Sequence, residues 1–245
     1  MQYFREFPQI QYKFGNETAS EVFRNITAYA DVVDQIKDDI SFYNNITIDE
    51  GTRPDQLSIL MYGTPVYHWT FYLLNDNLRL QGWPLSNVEL EAKAKKDYPN
   101  TVITTTADLK GVFKVGRTVV GSFSNATGKI IHRNLELGQL VIQGSHSFTN
   151  TEQVTSTYNV PGGVEIETIT LTAASAEHLA ANHYVDGDSK RVDIDPQNGP
   201  GALLTEITNF DNMINENEAL RTIRVIRPQF ISQISSAFKG AVRGS

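Results

Sequence analysis

The chain has 245 residues, 40% of them hydrophobic and 20% charged, with a formal net charge of −7. Such a composition belongs to a folded globular protein with a real core, long enough for one large domain or a few small ones. The acidic balance argues against nucleic acid as a main partner, and the lack of cysteine excludes a disulfide framework, a thiolate metal site and a cysteine nucleophile. The most basic stretch is C-terminal, with Arg221, Arg224, Arg227, Lys239 and Arg243. Early charges and the lack of an apolar h-region argue against a signal peptide. No run reaches the roughly 18 apolar residues of a membrane span. A protein made and kept in a cytoplasm is expected, and the N-x-[ST] matches at Asn16, Asn25, Asn45 and Asn125 then read as polar turns.

Residues 1–51 read as an N-terminal arm. Tyr3, Phe4, Phe7, Ile10 and Tyr12 lie in an extended, aromatic-rich stretch around Pro8, and residues 21–26 could add a helical turn. Val32, Val33, Ile36 and Ile40 recur at helical spacing, so a short amphipathic helix is predicted over 31–42, with an extended segment as the alternative. Ile46-Thr47-Ile48 reads as a strand. Pro54 opens a helix carrying Leu57, Leu60 and Met61, and Gly63 ends it as a left-handed cap. Thr64 and Pro65 start a second helix with Val66, Trp69, Phe71, Leu73 and Leu74, which stops at Asn75-Asp76-Asn77. After the turn Trp83-Pro84-Leu85-Ser86, a third helix runs through 89–96.

From residue 101 the helical period disappears. Short β-rich runs at 102–104, 112–115, 118–120, 129–131 and 139–142 alternate with glycines, and predict a small antiparallel barrel or sandwich. A faint repeat aligns Phe113 and Val119 with Phe148 and Val154. Residues 164–171 alternate cleanly and predict a half-buried strand. A loop rich in Asp, Gly and Pro covers 186–201. A helix follows over 210–221, then a short strand with Ile223 and Val225 inward, then an amphipathic helix with Phe230, Ile231, Ile234 and Phe238.

No arrangement of catalytic residues holds up. The five histidines, His68, His132, His146, His178 and His183, form no H-E-x-x-H, and read as scattered core or surface residues. Gly121 to Lys129 hints at a phosphate loop, but six residues separate its glycines instead of four, and Ile130 stands where a hydroxyl would hold magnesium. Asp186, Asp188, Asp193 and Asp195 lack the order of a calcium loop, and a solvated loop accounts for them. The aromatic group Tyr62, Tyr67, Trp69, Phe71, Tyr72 and Trp83 is the best candidate site. It could stack on sugars or anchor a partner, although filling a small core explains it better.

The sequence from Arg53 to Tyr62-Gly63, then Tyr67-His68-Trp69, then Leu73-Leu74-Asn75-Asp76-Asn77, resembles a LysM-type domain, a βααβ fold many of whose members bind N-acetylglucosamine polymers. With Pro8, Gly82-Trp83-Pro84, residues 182–196 and the stretch from Asn215 to Ile226, it is similar to the baseplate wedge proteins of T-even-like contractile-tailed phages, the gene product fifty-three type. The resemblance covers roughly 1–100 and 175–240. The stretch 101–160 departs from it as an inserted β-module. It implies an α+β chain with an N-terminal extended arm (1–51), a small LysM-like βααβ domain (52–100), an inserted small antiparallel β-barrel module (101–160) and a C-terminal strand, loop and helix region (161–245).

The function implied is structural, not enzymatic: a virion protein of the tail baseplate, assembled in the host cytoplasm. It would join other wedge proteins and neighbouring copies in a six-fold assembly, with no cofactor, metal, nucleic acid or membrane. Arg53, Tyr62, Gly63, Trp69, Asn75, Asn77 and Trp83 would define the fold or touch the partner. The alternative implied is a LysM-type module that grips peptidoglycan.

Overall fold

The computed structural model of the chain describes residues 9–13, 15, 19–24 and 40–244. Tyr3, Phe4, Phe7 and most of the helix predicted over 31–42 lie outside the described residues. The last three residues of that stretch, Ile40–Phe42, form one 3-10 turn. The chain divides into two compact units. The first combines Met1–Ser86 with Asn217–Ser245, and the second is Asn87–Glu216. No helix among the described residues is long and apolar enough to cross a membrane.

The first unit begins with a hairpin of β1 (Gln9–Tyr12) and β2 (Glu21–Arg24), which pair antiparallel with Ile10 opposite Phe23. Residues 21–24 are therefore strand, where a helical turn was expected; valine and phenylalanine beside a paired edge favour the pleat. β3 (Tyr43–Thr47) leads to helix α1 (Pro54–Tyr62). Pro54 sits at the first turn, the Arg53 N–H donates to Gln56 Oε1 at 3.0 Å, and Gly63 closes the helix at φ +73°, a conformation that favours glycine. A 3-10 turn over Pro65–Tyr67 precedes α2 (Trp69–Leu74), and α3 (Asp76–Gln81) follows after one residue, Asn75.

The partner strand of β3 is far away in sequence. β14 (Thr222–Ile226) pairs antiparallel with β3, Arg224 opposite Asn45. Residues 52–100 contain no strand; the strands that flank the helices come from 43–47 and 222–226. Ile48, Leu57, Phe71, Leu78, Ile223 and Val225 form the core between ribbon and helices. The last helix, α6 (Ile231–Gly244), buries Ile231, Ile234 and Phe238, one stripe at spacings of three and four, with Ile231 and Ile234 against Leu74 and Ile226.

The second unit starts with α4 (Asn87–Asp97) and carries a seven-stranded antiparallel sheet. Its strands are β4 (Thr101–Thr104), β5 (Thr118–Gly121), β6 (Thr127–Asn134), β7 (Gln139–Ile142), β8 (Gln153–Val160), β9 (Gly163–Thr170) and β10 (Ala173–Ala176), in the order β10-β4-β7-β6-β5-β8-β9. A bulge between Ile130 and His132 lets β6 pair with β5 at one end and β7 at the other. Residues 170 and 173 are at most about 11 Å apart, so the sheet curls strongly. No ladder joins β9 to β10, however, and the sheet stays open.

This corrects the expected fold: the chain is α+β with open sheets, and among the described residues no barrel forms. One cause lies at 112–115, expected to be a strand. Phe113 adopts φ +49° between Gly111 and Gly116, both left-handed, and donates its N–H to Glu167 at 2.7 Å. Its ring is a core plug beside Val119, Phe148 and Val154, so the four residues of the faint repeat share one core. The strand expected over 164–171 is β9, Gly163–Thr170, and its first half is exposed. A smaller sheet, β12-β11-β13, joins β11 (Ala181–Val185), β12 (Arg191–Val192) and β13 (Thr205–Thr208). Helix α5 (Asn209–Ala219) leads back to the first unit.

Candidate functional site

A two-stranded ribbon has two open edges, and each N–H and C=O there needs a partner. The Arg227 N–H bonds Phe42 O, and the Ile48 N–H bonds Arg221 O. The odd-numbered residues of β14 therefore bond toward β3, and the even-numbered ones turn their backbone groups to the other edge. Side chains from the helices fill that edge. Asn75 Oδ1 accepts the Arg224 N–H at 2.8 Å, and Asn75 Nδ2 donates to Arg224 O and Phe71 O, both at 2.8 Å. The Tyr62 hydroxyl donates to Ile226 O at 2.9 Å. Asn75, 6% exposed, thus acts as a one-residue third strand, and its position between α2 and α3 aims the carboxamide at the edge.

The same device recurs where the chain leaves and re-enters this unit. Asn217 Oδ1 accepts the Leu85 N–H at 2.8 Å, and its Nδ2 donates to Leu85 O at 3.0 Å. One carboxamide pins together two points separated by the whole of 87–216.

The aromatic residues serve the same core. Trp69 packs on Phe238 at 5.1 Å between ring centroids. Phe71 stacks on Tyr62 and tilts against Trp83, which also meets Tyr72. The Trp83 Nε1–H donates to Thr52 O at 2.7 Å. Burial pushes the Tyr62 phenol up to about 12, which keeps it a neutral donor. Of the sequence candidates, Tyr62, Trp69, Asn75 and Trp83 serve this core and edge, and Gly63 is the exposed cap of α1. Arg53 lies at the surface, its guanidinium on Asp55 at 2.6 Å. Asn77 is exposed on α3. Asn217 was not singled out for its own side chain; its place in the quoted Asn215–Ile226 stretch was the only signal.

In the second unit, the supposed phosphate loop is already filled. Glu152 Oε2 accepts the N–H groups of Phe123 and Ser124 at 3.0 and 2.9 Å, and Oε1 accepts from the Ser124 hydroxyl and the Thr149 N–H. Burial pushes this carboxyl up, but those donors outweigh it and hold it below the usual range. A Cβ on Gly121 would press on Ser124 Oγ and lie 2.7 Å from Glu152 Oε2, so a side chain there would displace these groups. Asp186 and Asp195 spend their carboxylates on the backbone of their own turns. Among the described residues no group of three or more His, Asp or Glu could hold a metal.

A second carboxylate lock lies on the β8–β9 hairpin. Glu167 pairs with Arg117, accepts from the Phe113 N–H and Tyr158 hydroxyl, and is held below the usual range despite burial, which alone would raise it. The Arg117 guanidinium lies over the Tyr158 ring at 3.4 Å. No protein-family model matches the chain, and no curated protein matches it.

Proposed function

We propose that the protein is a structural subunit of a contractile phage tail, joining neighbouring baseplate wedge proteins during assembly. The reading starts from the resemblance carried by Tyr62-Gly63, Trp69, Asn75 and Trp83, residues whose chemistry here is spent on packing and backbone bonds. The observation that carries it further is the β1–β2 hairpin. Ile10, Tyr12, Val22 and Phe23 are all exposed on two strands of four residues. A lone two-stranded hairpin is marginal in water, and burying each large apolar side chain on a partner would contribute up to about 1.5–3 kcal/mol. Leu80, 81% exposed on α3, and Leu60 on α1 add apolar anchors on the helices.

A sugar-gripping role is less well supported, because Trp69 and Trp83 spend their faces on Phe238, Phe71 and Tyr72. The test is peptide mass spectrometry on purified tails of the encoding phage, with copy number calibrated against the tube protein. Recovery in a small multiple of six per tail is expected. Absence from the particle would sink the proposal.

A further inference from the structure

The edge-closing device leaves one side chain unusually well placed. Arg224 lies opposite Asn45 of β3, and the Asn75 carboxamide takes both its backbone N–H and its C=O on the open edge. Its guanidinium lies over the Tyr43 ring, 5.0 Å from the centroid. A guanidinium stacked on a ring uses its face and keeps its in-plane N–H fork for an acceptor. Arg53, Arg79 and Arg117 each pair with a carboxylate. Arg224 pairs with none among the described residues, although acids outnumber bases in the chain.

Arg224 also lines an open cleft of about 450 Å³ with Asn45, Asn77 and Thr222. These bring two carboxamides and a hydroxyl to the cleft that Arg224 borders. The acid in the cleft, Asp76, is engaged by Arg79 at 2.8 Å.

We infer that this cleft is a carboxylate-binding site, and that its ligand is an acidic side chain in an extended segment of a partner protein. The guanidinium fork takes the carboxylate in a bidentate pair, and Asn45, Asn77 and Thr222 supply further hydrogen bonds. Positions already held in place lose little freedom on binding, which favours recognition over structural use. The inference is independent of the virion reading, since a carboxylate site could serve any acidic partner.

The test uses the full-length chain and a fluorescent peptide, Gly-Ser-Asp-Glu-Asp-Ser-Gly, capped at both ends, followed by fluorescence anisotropy at low salt. Its Asn/Gln counterpart is the neutral control, and an uncapped version carries a free α-carboxylate. Binding of the capped acidic peptide at least about tenfold tighter than the control is expected. Arg224→Gln should weaken it by about tenfold or more. Arg224→Lys, which keeps the charge but loses the fork, should weaken it several-fold while circular dichroism stays unchanged. Asn75 bonds only the backbone of Arg224, so neither variant removes the clamp. Equal affinity for neutral and acidic peptides, indifference to both Arg224 variants, or binding of the uncapped peptide alone would overturn the inference.

Discussion

The two units hold themselves together in different ways. In the first, the ribbon of β3 and β14 joins segments with the entire second unit between them, and carboxamides from Asn75 and Asn217 finish backbone pairing that a third strand would otherwise supply. In the second, one contiguous segment supplies every strand, three of the six pairs in the large sheet join consecutive strands, and carboxylates secure the turns: Glu152 holds 123, 124 and 149, and Glu167 holds Phe113 and Arg117. Neutral clamps therefore close the unit assembled from distant pieces, and ionised ones close the contiguous unit. Both tryptophans, Trp69 and Trp83, belong to the first unit, so tryptophan fluorescence reports that unit alone, while far-ultraviolet circular dichroism reports both.

The largest expected effect is at Asn75. Asn75→Ala leaves the Arg224 N–H and C=O without their partner and should destabilise the first unit by about 3–4 kcal/mol, read as a lower urea midpoint in tryptophan fluorescence. Next is Glu152→Ala, which strips the acceptor from three backbone N–H groups. It should cost about 3 kcal/mol, and should move the dichroism transition while leaving the tryptophan midpoint in place. A loss of tryptophan midpoint equal to that of Asn75→Ala would break the distinction between the units.

Asn217→Ala should cost the first unit about 2 kcal/mol. Acid should separate the units as well. Glu152 and Glu167 have folded values below the usual 4.5, so they bind protons more readily when unfolded. Their stabilisation is present above about pH 4.5 and is lost as pH falls through the depressed folded values. The second unit should therefore lose stability first on acidification, and Glu152→Gln should flatten that dependence. The described carboxyl of the first unit with a lowered value, Asp55, is exposed and should contribute little. The smallest effect belongs to Asn77→Ala, within about 0.5 kcal/mol, because that side chain is exposed. A larger loss there would mean that position, and not burial, decides which asparagine matters.

Local chemistry made parts of this fold legible in the sequence. Pro54 and Gly63 bracket α1, the inward Ile223 and Val225 give β14, and Ile231, Ile234 and Phe238 give the stripe of α6. The pairing of β3 with β14 was not legible, since alternation tells which face is buried but not which strand lies alongside. β8 was missed because Gln153–Val160 is mostly polar, with Val154 and Ser156 buried among exposed neighbours. The barrel expectation failed where it leaned on Val112 to Val115, a turn that buries Phe113 and leaves Val115 exposed. In the site, Trp69, Asn75 and Trp83 stood out by residue type. Their roles did not, because Asn75 acts through a backbone almost 150 residues away, and the acceptor role of Glu152 depends on a turn nearly thirty residues upstream.

The most direct test of the clamped first unit is to replace residues 87–216 with a short Gly/Ser linker between Ser86 and Asn217 and follow tryptophan fluorescence in urea. If side-chain clamps and the β3–β14 ribbon hold that unit, the shortened protein should show buried tryptophans and one cooperative transition near the full-length midpoint, and Asn75→Ala should lower it as in the intact chain. Solvent-exposed tryptophans with no cooperative transition would contradict the account.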